Sequence, residues 1–374
     1  MLNVRVLVLS KRKYMGRDLI ADRYGRFREL PLALSRHGAI VHGLCLGYRG
    51  GDEVSVLDES HGGRVDWDAS KLSRLLPLGS GSYRRRIDGI AETFRPNLVW
   101  ACSDTLHATL GAWAARRLGA RLVVDLYDNF ESYPLHRMPG MNALLRRALR
   151  RARAVTCVSE PLAEKVRDEY AVTAAVETIG NAVPDGLFIP QDKSACRRRL
   201  GLPDDACIIG TAGAISATRG LGALLDAFRV LRQSRSDLHL VLAGPDDGSL
   251  PVPVDDAHVH RLGSLPPADV PYVVGAMDLS VVCNADSAFG RYCFPQKLYE
   301  SLACRVPVVV ADVGAMSRLL SEHREVLFSP EDAEGLARLV EQRLRDPVVP
   351  DLPVPTWDTE GARLLAVMQR ALKV

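Results

Sequence analysis

The sequence predicts an α/β protein made of two doubly wound domains in series. Short β-branched runs alternate with helical segments, the alternation restarts after "GNAVPDGLFIPQD" (residues 180–192), and glycines close helices just before the next strand. In the first half "VRVLVLS" leads to the helical "YGRFRELPLALSRHG" and the strand "AIVHGLCLGY"; "NLVWACS", "HATLGAWAARRLG", "ARLVVDLYD", "AVTCVS" and "AVETIG" follow. Helices that end at Gly38 and Gly119 carry the residue that a left-handed C-cap favours. The second half reads as the strand "CIIGTAG", a helix over 221–234, the strands "LHLVLAG", "HVHRLGSL" and "LSVVCN", a helix over 296–303, the apolar run "VPVVVAD" and a helix over 332–345. The tail "DLPVPTWDTEGARLLAVMQRALKV" is a proline-rich turn and an amphipathic helix. We expect domains at 1–185 and 186–355, with 356–374 packing back on the first domain. The carboxyl ends of both sheets should face a cleft between them.

Composition narrows the function classes. With 374 residues, 47% hydrophobic and 25% charged, the chain can bury a core in each domain, which excludes disorder and fibre. A net charge of +3 hides local concentrations, "RRR" at 84–86 and "RRALRRAR" at 146–153, but lacks the overall bias and reading motif of a nucleic-acid binder. The eight cysteines form no C-x-x-C pair and several sit in apolar runs, so they read as buried small hydrophobes in a reducing compartment. No run approaches the roughly 18 apolar residues of a membrane helix, and no signal-peptide pattern opens the chain, so a cytoplasmic protein is expected.

Phosphate chemistry is expected in the second domain. After the first strand "VLVLSKRKYMGRD" offers only Gly16, which argues against a dinucleotide site and hence a dehydrogenase. By contrast "IGTAGAISATRGLGALLDAF" sets Gly210, Gly213 and Gly220 in a strand-to-helix region with Arg219 before the helix. Glycine lets the backbone approach phosphate oxygens, and a helix N-terminus beside a cation stabilises their charge. In "FPQKLYESLACRVPVVVADVG", Pro295 opens a helix on which Lys297 and Glu300 share a face. They form either a solvated ion pair or part of a site. Two helix N-termini after strands of one sheet suit a diphosphate, and Glu300 would then meet sugar hydroxyls.

From about residue 153 onward the chain resembles the donor-binding half of retaining, nucleotide-sugar-dependent glycosyltransferases of the GT-B fold, glycosyltransferase family 4. The residues that carry this are "TIGNAVPDGLFIP", "GAISATRGLGALLDAF", "LVLAGP", "HVHRLGSLPPADVPYVVGAMDLSVV", "PQKLYESLACRVPVVVADVG" and the helix at Trp357. The resemblance implies two Rossmann-like domains. Glu300 matches the second glutamate of the family's E-x7-E, which holds ribose hydroxyls, and Arg219 matches the lysine that neutralises the diphosphate. The donor set it implies takes in Gly213, Arg219, Gly244, Pro245, Leu265, Asn284, Pro295, Lys297, Leu298 and Glu300. Two departures stand out: Tyr292 replaces the first glutamate of E-x7-E, and Ala214 the usual arginine, which leaves more of the phosphate charge to Arg219 and Lys297. We read them as marks of a subfamily.

The implied activity is transfer of a sugar, with retention, from a nucleotide-diphosphate sugar to a saccharide or lipid-linked saccharide in bacterial surface polysaccharide synthesis. Arg219 and Lys297 are the expected catalytic pair, and Asp128 joins them from the acceptor side. "LYDNFESYP" follows a strand, so Asp125, Asp128 and Glu131 are candidates to orient an acceptor hydroxyl, with Gly16 nearby; Asp125 equally fits a turn cap. Asp104 reads as an N-cap, and His107 receives no catalytic role. No cofactor or metal is required, because the cations and helix N-termini can stabilise the leaving diphosphate. The arginines of 146–153 form either a solvated helix face or a contact with anionic lipid at the inner face of the membrane. Two other classes stay open on this architecture: a nucleotide-sugar-binding protein without transfer activity, and an epimerase or phosphorylase.

Overall fold

The computed structural model describes residues 3–14, 17–23, 25–48, 52–71, 80–253 and 256–373. Gly16 lies outside them. The chain forms two compact units, 1–181 with 357–374, and 182–356. The division expected after residue 185 falls after 181, because the Val183 N–H bonds the Pro355 carbonyl at 3.1 Å and ties this segment into the second unit.

In the first unit eight strands form one sheet, in the order Ala175–Thr178, Ala154–Cys157, Arg121–Leu126, Leu98–Ala101, Arg5–Lys11, Ile40–Gly47, Gly63–Lys71 and Ser55–Ser60. All neighbours are parallel except the last pair. Val6, Leu7, Val8 and Leu9 are fully buried, as expected for a central strand covered on both faces. The helix Thr105–Leu118 starts where Asp104 accepts the His107 N–H at 3.0 Å and stops at Gly119, φ 65°. The C-terminal helix Trp357–Lys373 packs on the helix Arg26–Arg36 at Gly361, where a side chain would collide with Ala33. Glu360 accepts the Gly180 N–H at 2.7 Å, and Arg363 donates to the Thr178 carbonyl at 2.8 Å. Deleting this helix would therefore expose one face of the first unit's core.

In the second unit six parallel strands run in the order Val259–Gly263, Leu238–Ala243, Cys207–Ala212, Leu279–Val282, Val308–Ala311 and Leu327–Phe328. Each face of the sheet carries its own apolar cluster, one around Ile208, Val241, Val310 and Leu298, the other around Ile209, Leu240, Val309 and Leu224. This alternation follows from the two-residue period of a strand. The helices expected over 221–234 and 332–345 are observed at Leu221–Arg232 and Ala333–Arg345, and that over 296–303 at Gln296–Ala303. Seven of the eight cysteines are buried and none is disulfide-bonded. Among the described residues no helix is long and apolar enough to cross a membrane.

Candidate functional site

The second sheet reverses its winding between Cys207–Ala212 and Leu279–Val282: the next two strands lie to one side of the first, and the last two beyond the other. The crevice outside the carboxyl ends at such a reversal is where open α/β sheets bind ligands. The loops 213–219 and 283–295 leave from these two strands. They touch at Gly220, φ 74°, where a side chain would press on the Asn284 backbone. Gly213, φ 137°, is required for a second reason: a side chain there would strike the Lys297 methylenes. Gly244 lies directly against the Gly213 carbonyl, and Pro245 accepts the Ile215 N–H at 2.8 Å, so the two strand-end loops are zipped together.

Three ionisable side chains meet here. Arg219 ends the short turn Ala217–Arg219, which Ser216 caps, and its guanidinium lies 4.2 Å from the centre of the Phe289 ring. Among the described residues it forms no ion pair. Lys297, in the first turn of Gln296–Ala303, places Nζ 3.4 Å from Thr211 Oγ1. Burial lowers its pKa; Cys283 and Glu300 pull it up and Arg219 pushes it down. Glu300, one turn further on, is pushed up to about 7 by burial, against the opposing pull of Lys297. No described residue donates a hydrogen bond to its carboxylate, and no ion pair joins it to Lys297. An anion between the two cations would favour the charged form of Lys297, and hydroxyl donors would favour the ionised form of Glu300.

Other residues of the expected donor set serve the scaffold. Asn284 is buried and donates to the Gly290 carbonyl at 2.9 Å, so its amide shapes the loop and does not face outward. The Leu298 side chain is fully buried in the core, which leaves only its backbone for a ligand. Leu265 packs against the same core. Pro295 is the N-cap residue of the helix and accepts the Leu298 N–H at 3.4 Å.

The first sheet reverses between Arg5–Lys11 and Leu98–Ala101, and there two expectations need correction. Asp125 neither faces a ligand nor caps a turn. It is fully buried, bound by Arg26 at 2.9 and 3.1 Å and by Thr156 Oγ1 at 2.6 Å, while Arg26 also donates to the carbonyls of Ile179 and Gly180. Glu131 is likewise committed, 3.0 Å from Lys165 and 3.8 Å from Arg146. Burial alone would raise its pKa; Lys165, Tyr170 and Arg146 outweigh that and lower it.

Asp128 does lie beside the reversal, buried, accepting the Asn129 N–H and the Tyr133 hydroxyl at 2.9 Å each. It belongs to a network that sequence reasoning missed. Lys11, the last residue of its strand, donates to Tyr127 Oη at 2.6 Å, and Tyr133 Oη is also 2.6 Å from that oxygen. Asp104, besides capping its helix, bonds His107 Nδ1 at 2.9 Å and Tyr48 Oη at 2.7 Å; against the effect of burial these partners hold it down to about 2. The buried Ser103 between them adopts φ 90°, a conformation that costs a non-glycine residue about 1–3 kcal/mol, and accepts the Lys11 N–H at 2.9 Å. Only the place of Lys11 at the end of the first strand could have drawn attention to it, and two further cations within "SKRK" obscured that signal.

Known proteins share this organisation. Residues 26–186 match the family described as Glycosyltransferase Family 4, and residues 206–346 match Glycosyl transferases group 1. Over 265 residues the chain is 29% identical to TuaC of Bacillus subtilis (strain 168), named as a teichuronic acid biosynthesis glycosyltransferase; the match covers 69% of this chain and 65% of that protein. A D-inositol 3-phosphate glycosyltransferase of Segniliparus rotundus is 26% identical over 282 residues, 72% of this chain and 56% of its own. The chain thus spans between about half and two thirds of the length of these curated relatives. The crystal structure of Anabaena Alr3699/HepE in complex with UDP superposes with a TM-score of 0.68 over 99% of this chain and 98% of that one, at 19% identity, which shows the fold. Two successive segments of the chain thus match two glycosyltransferase families, and its fold is GT-B.

Proposed function

We propose that the chain moves a sugar from a nucleoside-diphosphate sugar to a hydroxyl of a saccharide or lipid-linked saccharide, with retention at the anomeric carbon. The observation that carries this is the convergence of Arg219, Lys297 and an unbonded Glu300 at the reversal of the second sheet. In this reading Arg219 and Lys297 meet the two phosphates and Glu300 accepts from the ribose hydroxyls. As the glycosidic bond breaks, negative charge accumulates on the departing diphosphate, and cations already fixed in place stabilise it without reorganisation. A metal ion is not needed for that task. Asp128 is read as orienting the acceptor hydroxyl in the first unit. The Alr3699/HepE structures with UDP and with UDP-glucose support uridine as the base to try first, and the names of the relatives support an acceptor in surface polysaccharide or glycolipid synthesis. A lipid-linked acceptor would bring the chain to the inner face of a membrane.

The test is calorimetry with uridine, guanosine and adenosine diphosphates, followed by turnover of the corresponding sugars. The reading predicts binding of one diphosphate that Glu300→Ala weakens, and a product of unchanged anomeric configuration by NMR. Binding of none of the three would remove it.

A further inference from the structure

Arg219 stands near a second cation, and no acid holds it there. It pushes the pKa of Lys297 down, so the two side chains are close enough to repel, and among the described residues its guanidinium has neither a hydrogen bond nor an ion pair. What meets it is the Phe289 ring, whose centre lies 4.2 Å away. The face of an aromatic ring carries negative charge density and attracts a guanidinium at this range. The kind of partner matters. A carboxylate would fix the guanidinium equally well, but it would neutralise the charge and occupy N–H donors, so an arriving phosphate would have to displace it. A ring holds the cation and leaves its full charge to the phosphate.

Phe289 is not there for the core. It is half-buried and belongs to neither apolar cluster of the second unit, whereas Phe294 and Tyr299, a few residues on, pack into one of them. Its backbone is nevertheless closely held. The Phe289 carbonyl accepts the N–H groups of Tyr292 and Cys293 at 3.2 and 3.0 Å, the Gly290 N–H donates to Ser287 Oγ at 3.0 Å, and the Gly290 carbonyl accepts from the Asn284 amide at 2.9 Å. Residue 290 must be glycine, because a side chain there would run into the Ala285 carbonyl oxygen. Asn284 is also the residue whose backbone Gly220 presses on, directly after Arg219. Both ends of the Arg219–Phe289 contact are thus tied to Asn284.

We infer that Phe289 is a positioning residue of the diphosphate site: its ring holds Arg219, against the repulsion of Lys297, where negative charge accumulates as the glycosidic bond breaks. The inference rests on the donor reading of this site under the proposed function. It adds the residue that keeps the cation in place before the reaction begins, and that residue acts through Arg219 with no need to touch the phosphate itself.

The experiment is calorimetry of the full chain with uridine, guanosine and adenosine diphosphates, with turnover of the corresponding sugars and folding checked by thermal melt. Phe289→Leu should lower the affinity for the diphosphate that binds the wild type about fivefold, and turnover about tenfold, the scale of one cation–π contact and short of the loss expected for Arg219→Ala. Phe289→Tyr keeps the ring and should recover most of both. A ring-trifluorinated phenylalanine at position 289 keeps the shape but draws negative charge off the ring face, so it should behave like Phe289→Leu. Wild-type behaviour of that variant would overturn the inference, because bulk alone would then suffice. In an Arg219→Ala background, Phe289→Leu should cost nothing further, since the partner it acts through is gone. An equal loss in both backgrounds would contradict the assigned role. If the wild type binds a diphosphate and Phe289→Leu binds it equally well, this inference falls and the donor reading stands. A wild type that binds none of the three would remove both.

Discussion

The two sheets reverse their winding in the same way, yet the charged side chains at the two reversals are in opposite situations. At the second, among the described residues, Arg219 and Glu300 form no ion pair and Lys297 hydrogen-bonds the Thr211 hydroxyl at 3.4 Å. At the first, Asp104 is held by His107 and Tyr48, Asp125 just behind it by Arg26 and Thr156, and Lys11 by Tyr127. A carboxylate after a strand is therefore weak evidence for a ligand contact until its internal partners are known. A saturated group stabilises the fold, and an unsaturated one waits for something outside it.

The comparison breaks first if the saturated side proves dispensable. Asp125→Ala strands the Arg26 guanidinium in the interior, so stability should fall by about 3–5 kcal/mol, with a correspondingly lower denaturant midpoint. A loss within about 0.5 kcal/mol, the range of an ordinary surface change, would mean that the pair is not structural. The next largest effect belongs to the unsaturated side. Arg219→Ala should cut turnover by about 10² or more with little change in the melt, because it removes a group aimed at charge that develops during reaction. Arg219→Lys should recover part of the rate, and Lys297→Ala should act in the same direction as Arg219→Ala. With Ala214 in place of a second arginine, the loop has no local substitute.

A smaller effect is expected at Glu300. Removing its carboxylate by Glu300→Ala should weaken nucleoside diphosphate binding by about tenfold or more, the scale of hydrogen bonds to a charged group. Unchanged affinity in calorimetry would return Glu300 to the surface. Its titration sharpens the same point. The folded-state value of about 7 lies above the ordinary 4.5, so folded protein holds this proton more tightly than the unfolded chain. Its contribution to stability is then fully present below about pH 4.5 and is lost as pH rises through 7, and Glu300→Gln should flatten that slope in thermal melts. Ribose hydroxyls donate to the ionised form, so nucleotide affinity should run the other way. It should rise with pH by at most about tenfold per unit below 7, and level off above it.

Much of the architecture was legible because it rests on local signals. The helix Gln296–Ala303 follows from its apolar spacing, the stop at Gly119 from a glycine C-cap, and the restart of alternation after residue 192 falls inside the second unit. Lys297 and Glu300 share a face because helical geometry requires it. What escaped depends on partners distant in sequence. Asp125 sits in a strand-end segment that suggests exposure, and its fate is decided by Arg26, 99 residues earlier. The arginines of 146–153 read as one stripe, but Glu131 and Tyr170 claim Arg146, while Arg116 and Arg121, from two other elements, line one groove with Arg150, Arg151 and Arg153. Asn284 at the end of a strand has the right chemistry for a ligand, and the Gly290 carbonyl takes its amide. Short-range rules reveal which residue types stand where; they carry no record of which of them are already bonded.

The most direct test is a single calorimetric series with whichever of the uridine, guanosine and adenosine diphosphates binds the wild type. The double variant Arg219→Ala with Glu300→Ala would be measured beside Glu131→Gln, which touches a carboxylate ion-paired with Lys165 in the first unit. We predict that the double variant loses at least about tenfold in affinity while its melting temperature stays near that of the wild type, and that Glu131→Gln binds as the wild type does. Wild-type affinity in a folded double variant would contradict the account, because the nucleotide would then be held somewhere other than at the reversal of the second sheet.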